Sequence, residues 1–362
     1  MRLSASRLKL FKELTQAIGV PGQEMPVVKV LKKYYEGICD EIIHDNIGSI
    51  IAIKKSKVEN APRVLILSHM DEVGFIIKKI HDNGALSIHP VGGTWEQTML
   101  SNRISVVAKD GTIHKGVVGA TPPHLLKDSD RQKPMKIENM FIDIGCKSKD
   151  EVLALNINVG CSVVVDGPFE VLANGNRLLS KAFDDRYGCI LGVEILQALK
   201  NKELPFDLYV GNSVQEEVGL RGATTVANLV KPDFAIILDC SPANDISGKK
   251  EELGQLGEGV LIRFFDRSMI AFPQLLDFQI KMCEKNNVKY QYYSSTGGTD
   301  AGMVHKSNAG VLTLTQCICA RNIHTSGSII DLDDYEGSKK VLLSILKYLN
   351  RERIEKFKEM SR

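Results

Sequence analysis

The sequence has little with which to bind a polyanion or cross a membrane. Forty-six Lys and Arg stand against 44 Asp and Glu, a formal charge of +2, and no basic block of the kind that tracks phosphates breaks the balance, so nucleic acid is not an expected partner. No run reaches the roughly 18 apolar residues of a membrane span. Met1 to Val20 alternates charged and apolar side chains at helical spacing, where a secretory leader would have a continuous apolar core and a small-residue cleavage site. No membrane association is expected. Aromatic residues make up only 6% of the chain, few for the ring platforms of a sugar site. Internal repeats and low-complexity tracts are also missing. The eight cysteines (Cys39, Cys146, Cys161, Cys189, Cys240, Cys283, Cys317 and Cys319) are scattered through mostly apolar surroundings. That is the usage of reduced thiols, and it makes a cytoplasmic location the expectation. Cys317 and Cys319 continue a strand-like run and read as packing thiols rather than a chelating pair.

What is there is an ordinary globular composition, 43% hydrophobic and 25% charged over 362 residues, enough for two domains or one large core with an insertion. Leu8 to Ile18 and Glu24 to Tyr35 read as amphipathic helices separated by Gly19 and Pro21-Gly22. Strands are expected at Glu41 to His44, Ser49 to Ile53 and Val64 to Ser68. Between Val73 and Pro168 the pattern changes to short alternating strands (Phe75 to Ile80, Ala85 to His89, Arg103 to Ala108, Ile113 to Val118) joined by Asp82-Asn83-Gly84 and Asp110-Gly111 turns. Helices and strands then alternate again: helix Arg186 to Leu199, strand Asp207 to Val214, helix Ala223 to Leu229, strand Phe234 to Asp239. The expectation is one discontinuous α/β core, residues 1–72 and 169–362, with a β domain inserted at 73–168. Asp333 to Leu349 closes the core as a helix, and the charged end beyond it is expected to fray.

The titratable residues fall at the ends of the core strands. His69 ends an apolar run and is followed two residues later by Asp71, a pairing that suits a metal-ligating imidazole and its orienting carboxylate. Asp184 and Asp185 open a helix, Glu216 and Glu217 follow a buried strand, Asp239 ends another, and His324 comes in the loop after Val311 to Gln316. Acids and imidazoles converging on one sheet edge repel unless cations bind. The donors His69, Asp184, Glu217, Asp239 and His324 are nitrogen and oxygen without thiolate, which suits zinc, cobalt or manganese. Five donors exceed one tetrahedral site. With Asp184 bridging, two metals would each have two further ligands, leaving Glu216 as the general base. Gly297-Gly298-Thr299-Asp300-Ala301 is read as a tight turn into a helix near the site, with a plain N-cap as the alternative. The other histidines are read as structural or surface residues, and Trp95 as a packing or interface residue.

Five stretches, in order and spacing, carry a resemblance: Ser68-His69-Met70-Asp71-Glu72-Val73-Gly74, Lys181-Ala182-Phe183-Asp184-Asp185-Arg186, Gln215-Glu216-Glu217-Val218-Gly219, Gly297-Gly298-Thr299-Asp300-Ala301 and Arg321-Asn322-Ile323-His324. Together they resemble the tetrahedral aminopeptidases related to glutamyl aminopeptidase. The resemblance implies a zinc-peptidase-like α/β/α sandwich core with an inserted β-barrel-like dimerisation domain. It also implies two divalent ions per subunit, zinc or cobalt first and manganese next. By matching position, His69 and Asp239 would hold one ion and Glu217 and His324 the other, with Asp184 bridging, Glu216 as base and Asp71 supporting His69. The implied substrate is a short peptide with a free N-terminus, and the implied assembly is a set of dimers forming a tetrahedral dodecamer. The sequence departs from its relatives at Asn322 and Thr325-Ser326-Gly327, which bears on the substrate pocket, and the preferred N-terminal residue stays open. Two other readings are a glycoside hydrolase with Glu216 and Asp71 as its acid pair and a non-catalytic assembly protein on the same fold.

Overall fold

The computed structural model describes residues 3–247 and 254–360. Helices α1 (Ala5–Gln16) and α2 (Met25–Tyr35) precede strands β1 (Glu41–His44), β2 (Ile50–Lys54) and β3 (Arg63–His69). Strands β4 (Gly74–Ile80), β5 (Leu86–Val91), β6 (Arg103–Val107), β7 (Ile113–Ala120), β8 (Met140–Asp143) and β9 (Ser162–Val165) then close into a barrel in the order β4-β5-β8-β7-β6-β9, with short helices α3 (Asp128–Arg131) and α4 (Lys149–Ala154) among them. After the barrel come β10 (Glu170–Val171), β11 (Arg177–Ser180), α5 (Phe183–Leu199), β12 (Asp207–Ser213), α6 (Arg221–Val230), β13 (Phe234–Pro242), β14 (Val260–Phe265), α7 (Pro273–Lys285) and β15 (Tyr290–Ser294). The chain ends with α8 (Ala301–Val304), β16 (Leu312–Ala320), β17 (Ser328–Asp331), α9 (Leu332–Tyr348) and α10 (Arg351–Met360).

The main sheet has eight strands in the order β1-β2-β12-β3-β13-β16-β14-β15. Its centre, β12-β3-β13-β16, is parallel. A parallel strand buried on both faces is apolar almost throughout, and β3 is buried from Val64 to His69. Alternation along β3 divides its side chains between two layers. Val64 and Ile66 join the core under α1, α2, α5, α7 and α9, whereas Leu65 and Leu67 pack with Ala223, Val226 and Ala227 of α6 and with Ala301 and Val304 of α8. This is the expected α/β/α sandwich. The barrel has a core of its own, built from residues such as Phe75, Ile88, Ile104 and Ile142. Its β4–β5 turn uses Gly84 at φ +84°, a left-handed conformation that glycine adopts without penalty.

Two expectations need correction. Strand β13 does not end at Asp239 but runs on to Pro242, because it pairs with β16 in parallel register over its whole length. Through residue 360 the charged C-terminal segment does not fray. It forms α10, where Ile354 is buried and Phe357 packs 6.2 Å from Phe234 and 5.1 Å from Phe278, ring centre to ring centre. Lys and Glu dominate this helix, so its composition hides a narrow apolar seam at i and i+3.

Candidate metal centre

The parallel strands deliver the titratable residues to one edge. His69 is the last residue of β3, and the next amide, Met70 N–H, donates to the Ser213 carbonyl at the end of β12, 2.9 Å. Beyond β12, Gln215 takes a left-handed backbone (φ +57°) that turns the chain, and the N–H groups of Glu216 and Glu217 donate to Asp71 Oδ1 and Oδ2 at 3.0 Å each. Asp239 lies inside β13, where Tyr187 Oη donates to its carbonyl at 2.8 Å and accepts from its N–H at 3.2 Å. His324 follows β16 with φ +60°. Asp184 stands in the first turn of α5.

Asp184 is the residue shared between the two histidines. Its Oδ1 lies 3.1 Å from His69 Nε2 and its Oδ2 3.1 Å from His324 Nε2. Three sets of donor atoms each lie within 4.8 Å of one another: His69, Asp184 and Asp239; Asp184, Glu217 and His324; and His69, Glu216 and Glu217. All five donors expected from the sequence come together, and Glu216 Oε2 stands 4.0 Å from His69 Nε2. The far nitrogens are also fixed. His69 Nδ1 is 3.1 Å from the Asp71 carbonyl oxygen and 3.6 Å from Asp71 Oδ1, so the main chain is its nearer acceptor. His324 Nδ1 is 2.8 Å from the Gly93 carbonyl, in the loop after barrel strand β5.

The electrostatics ask for a cation. Burial and the neighbouring charge of Asp184 push the Asp239 carboxyl well above the usual range, and burial together with Asp239 and Glu217 does the same to Glu216. Burial opposes protonation of His69, but Glu216, Asp184 and Asp71 raise its pKa well above the ordinary imidazole value. The same balance, dominated on the raising side by Glu217, lifts His324 to about 11. Protons thus hold together acids that would otherwise repel. Glu217 Oε1 is buried and accepts no hydrogen bond, although it sits 3.2 Å from His324 Nε2. Two donor atoms that close but not aligned on each other are placed as ligands of a common ion are. With nitrogen and oxygen donors around it, this orphaned oxygen makes the residues fit divalent metal.

Residues 48–341 match the family model described as M42 glutamyl aminopeptidase. The chain belongs to that family. A glutamyl aminopeptidase of Lactococcus lactis subsp. cremoris is 37% identical over 349 residues, 96% of this chain and 98% of the relative. A TET aminopeptidase structure from a marine sediment archaeon of the Thaumarchaeota is 36% identical with a TM-score of 0.94, covering 98% of this chain and 100% of that one. The TET1 peptidase of Pyrococcus horikoshii, described as able to assemble into a tetrahedron or a large octahedral shell, is 31% identical with a TM-score of 0.84, covering 95% and 100%. Membership in the M42 family makes the chain a metal-dependent aminopeptidase, a hydrolase. The glycosidase reading also fails on geometry. Asp71 is fully buried and both its carboxylate oxygens accept backbone N–H groups, so it is not free to act as an acid on a sugar.

Several parts of this M42 site were not legible in the sequence. Gly92 and Gly93 bring the barrel against the candidate metal ligands Glu217 and His324. At Gly92 (φ +92°) a Cβ would stand 2.7 Å from Val73 Cγ1 and 3.2 Å from the Glu217 Cβ. Asp185 accepts from the His69 N–H at 3.2 Å and from the Gly188 N–H at 3.3 Å. Asp300 does not cap α8; its carboxylate accepts from Ser213 Oγ instead. A cleft between barrel and core, with Thr94 and Thr98 on one side and Thr325 on the other, opens onto Asp184, Glu217 and His324.

Beneath the site, Lys181 Nζ donates to both oxygens of Glu72 at 2.6 Å, and Arg186 Nη2 lies 3.6 Å from the same carboxylate. All three side chains are buried, and burial lowers the Lys181 pKa. Glu72→Gln leaves two buried cations without their anion and is expected to cost about 3–5 kcal/mol. Chemical denaturation reads this as a lower midpoint, and adding Lys181→Met should recover the larger part. An unchanged midpoint in the single variant contradicts the expectation.

Proposed function

We propose that this aminopeptidase removes the N-terminal residue of short peptides at a two-ion site in which Asp184 is the shared ligand, His69 and Asp239 complete one set, Glu217 and His324 complete the other, and Glu216 is the general base. The observation that carries the reading is the sharing itself, each Asp184 oxygen lying 3.1 Å from a different histidine. Divalent ions held there supply Lewis acidity toward the scissile carbonyl and lower the pKa of water. Glu216 takes the proton of the attacking water and passes it to the leaving amine. Asp71 keeps the Glu216 and Glu217 amides in place, while Gly93 holds the His324 ring in the tautomer whose Nε2 faces the site.

Residues 1–72 and 169–362 serve as the catalytic domain, and 73–168, which contains the closed barrel, as the dimerisation domain. Zinc or cobalt suits the donor set, manganese less so. Assembly of dimers into a tetrahedral dodecamer is the expected quaternary state. It is supported by the solved PhTET1-12s structure, a dodecamer, and by the TET1 peptidase of Pyrococcus horikoshii, described as able to assemble into a tetrahedron or a large octahedral shell. No helix among the described residues is long and apolar enough to cross a membrane, and all eight cysteines are free, which supports a cytoplasmic location.

The test is release of p-nitroaniline from Leu, Glu, Asp and Lys p-nitroanilides by chelator-stripped protein with zinc, cobalt or manganese added back. Activity should vanish with the chelator and return with metal, and the panel then names the preferred N-terminal residue. Turnover that survives complete metal removal overturns the reading.

A further inference from the structure

Three consecutive amides carry the acidic pair into the site, and each is held by a buried carboxylate from elsewhere in the chain. The N–H groups of Glu216 and Glu217 bond to Asp71. One residue earlier, the Gln215 N–H donates to Glu24 Oε1 at 3.2 Å, an oxygen that also accepts from the Gly22 N–H at 2.7 Å. Glu24 is 4% exposed. It stands at the N-cap position of α2 without capping it, since its side chain bonds to no amide of that helix. Its hydrogen-bond partners among the described residues are backbone N–H groups, and burial together with the neighbouring charge of Asp71 raises its pKa to about 7. Burying a carboxylate is costly, so what it holds should matter.

Glu24 holds a strained turn. Gln215 has φ +57°, an uncommon conformation for a residue with a side chain, which persists only where the surroundings impose it. The turn before α2 is tied to the other half of the site as well. The Gly19 N–H donates to Glu72 Oε1 at 3.3 Å, and the Glu72 N–H donates to the Gly19 carbonyl at 2.9 Å. The segment from Gly19 to Glu24 therefore spans from Asp71-Glu72 to Gln215-Glu216, the two stretches whose relative placement sets where the Glu216 carboxylate points.

We propose that Glu24 is a positioning residue for the general base, acting through the Gln215 amide to fix the direction of Glu216. This rests on the assignment of Glu216 as the base. Loss of the brace lets the turn relax and misplaces the base, which by the usual sensitivity of near-attack geometry lowers kcat by roughly ten- to hundredfold. The metal ligands stay anchored by Asp71, Asp185 and Tyr187.

The experiment compares E24A, E24Q, E24D and E216Q with the unmodified protein, all as metal-loaded full-length holoenzyme, on the anilide turned over fastest. It measures kcat, KM, bound metal and thermal midpoint. E24A should lose kcat by the stated factor with KM within about twofold and metal content unchanged. E24Q, which keeps an acceptor oxygen, should recover the larger part of the loss, and E24D, one methylene short of Gln215, should not. If E24A does not fold, the contrast between E24Q and E24D decides. Normal kcat in E24A beside an inactive E216Q overturns the positioning role, as does a kcat loss matched by lost metal. Normal kcat in E216Q overturns the base assignment itself.

Discussion

Glu216→Gln is expected to lower kcat by roughly 10²- to 10⁴-fold, the usual contribution of a positioned general base, while leaving bound metal and thermal midpoint close to those of the unmodified protein. The substitution keeps the side chain's volume and removes only its capacity to accept a proton at neutral pH. The structure makes the metal readout decisive, because Glu216 also lies in one of the three candidate donor sets, with His69 and Glu217. Were it a ligand, the amide would bind an ion poorly and metal would be lost along with activity. As a base, it leaves the sets completed by Asp239 and by His324 intact. Its backbone placement also survives, since the amide of residue 216 bonds to Asp71 whatever the side chain. Metal counted by atomic absorption beside kcat separates the two roles. Full metal with kcat unchanged removes Glu216 from the chemistry.

Candidate donors stand out in the sequence where a polar residue directly follows an apolar run. His69 after β3 and the Glu216-Glu217 pair after β12 are of this kind. Asp239 is the exception: a polar residue after Phe234 to Leu238 marks a strand end in sequence, but it stands inside β13. The supports were hidden because they act through backbone atoms or across long separations. The carbonyl of Gly93 leaves no mark on composition, yet it fixes His324 from 231 positions away. The carboxylate of Glu24, 191 positions from Gln215, reads in one dimension as the first residue of an amphipathic helix. The closed barrel was only half legible for a related reason. Strands β8 and β9 have four residues each, too short for alternation to be distinguished from chance, and only pairing with the longer strands defines them. The helix α10 shows the opposite failure, in which charge on three sides concealed a seam that packs on Phe234 and Phe278.

Asp184→Ala should have the largest effect on metal, because Asp184 alone belongs to both the set with His69 and Asp239 and the set with Glu217 and His324. Its removal leaves each set one carboxylate short and deletes the group whose two oxygens tie the imidazoles together. The expected outcome is loss of both ions and of detectable peptidase activity. Asp239→Asn, which touches one set, should lose one ion and keep the other. Stability gives a second reading with a distinct sign. In the metal-free protein burial and mutual repulsion push the Glu216 and Asp239 carboxyls up. Against burial, the hydrogen bonds and charge of His324 and His69 hold Asp184 well below the usual carboxylate range. Asp184→Ala therefore also lowers the metal-free midpoint, and the response to added metal is read from each variant's own metal-free value. What disappears is the stabilisation that any ligand bound only to the folded state confers, RT ln(1 + [L]/Kd), which is about 4 kcal/mol at a thousandfold excess over Kd. Adding zinc to the chelated, unmodified protein should therefore raise its thermal midpoint, by less in Asp239→Asn, and leave Asp184→Ala where it was. A midpoint in Asp184→Ala that still rises with zinc as in the unmodified protein means that the ions are held without it, and the shared-ligand arrangement is then wrong.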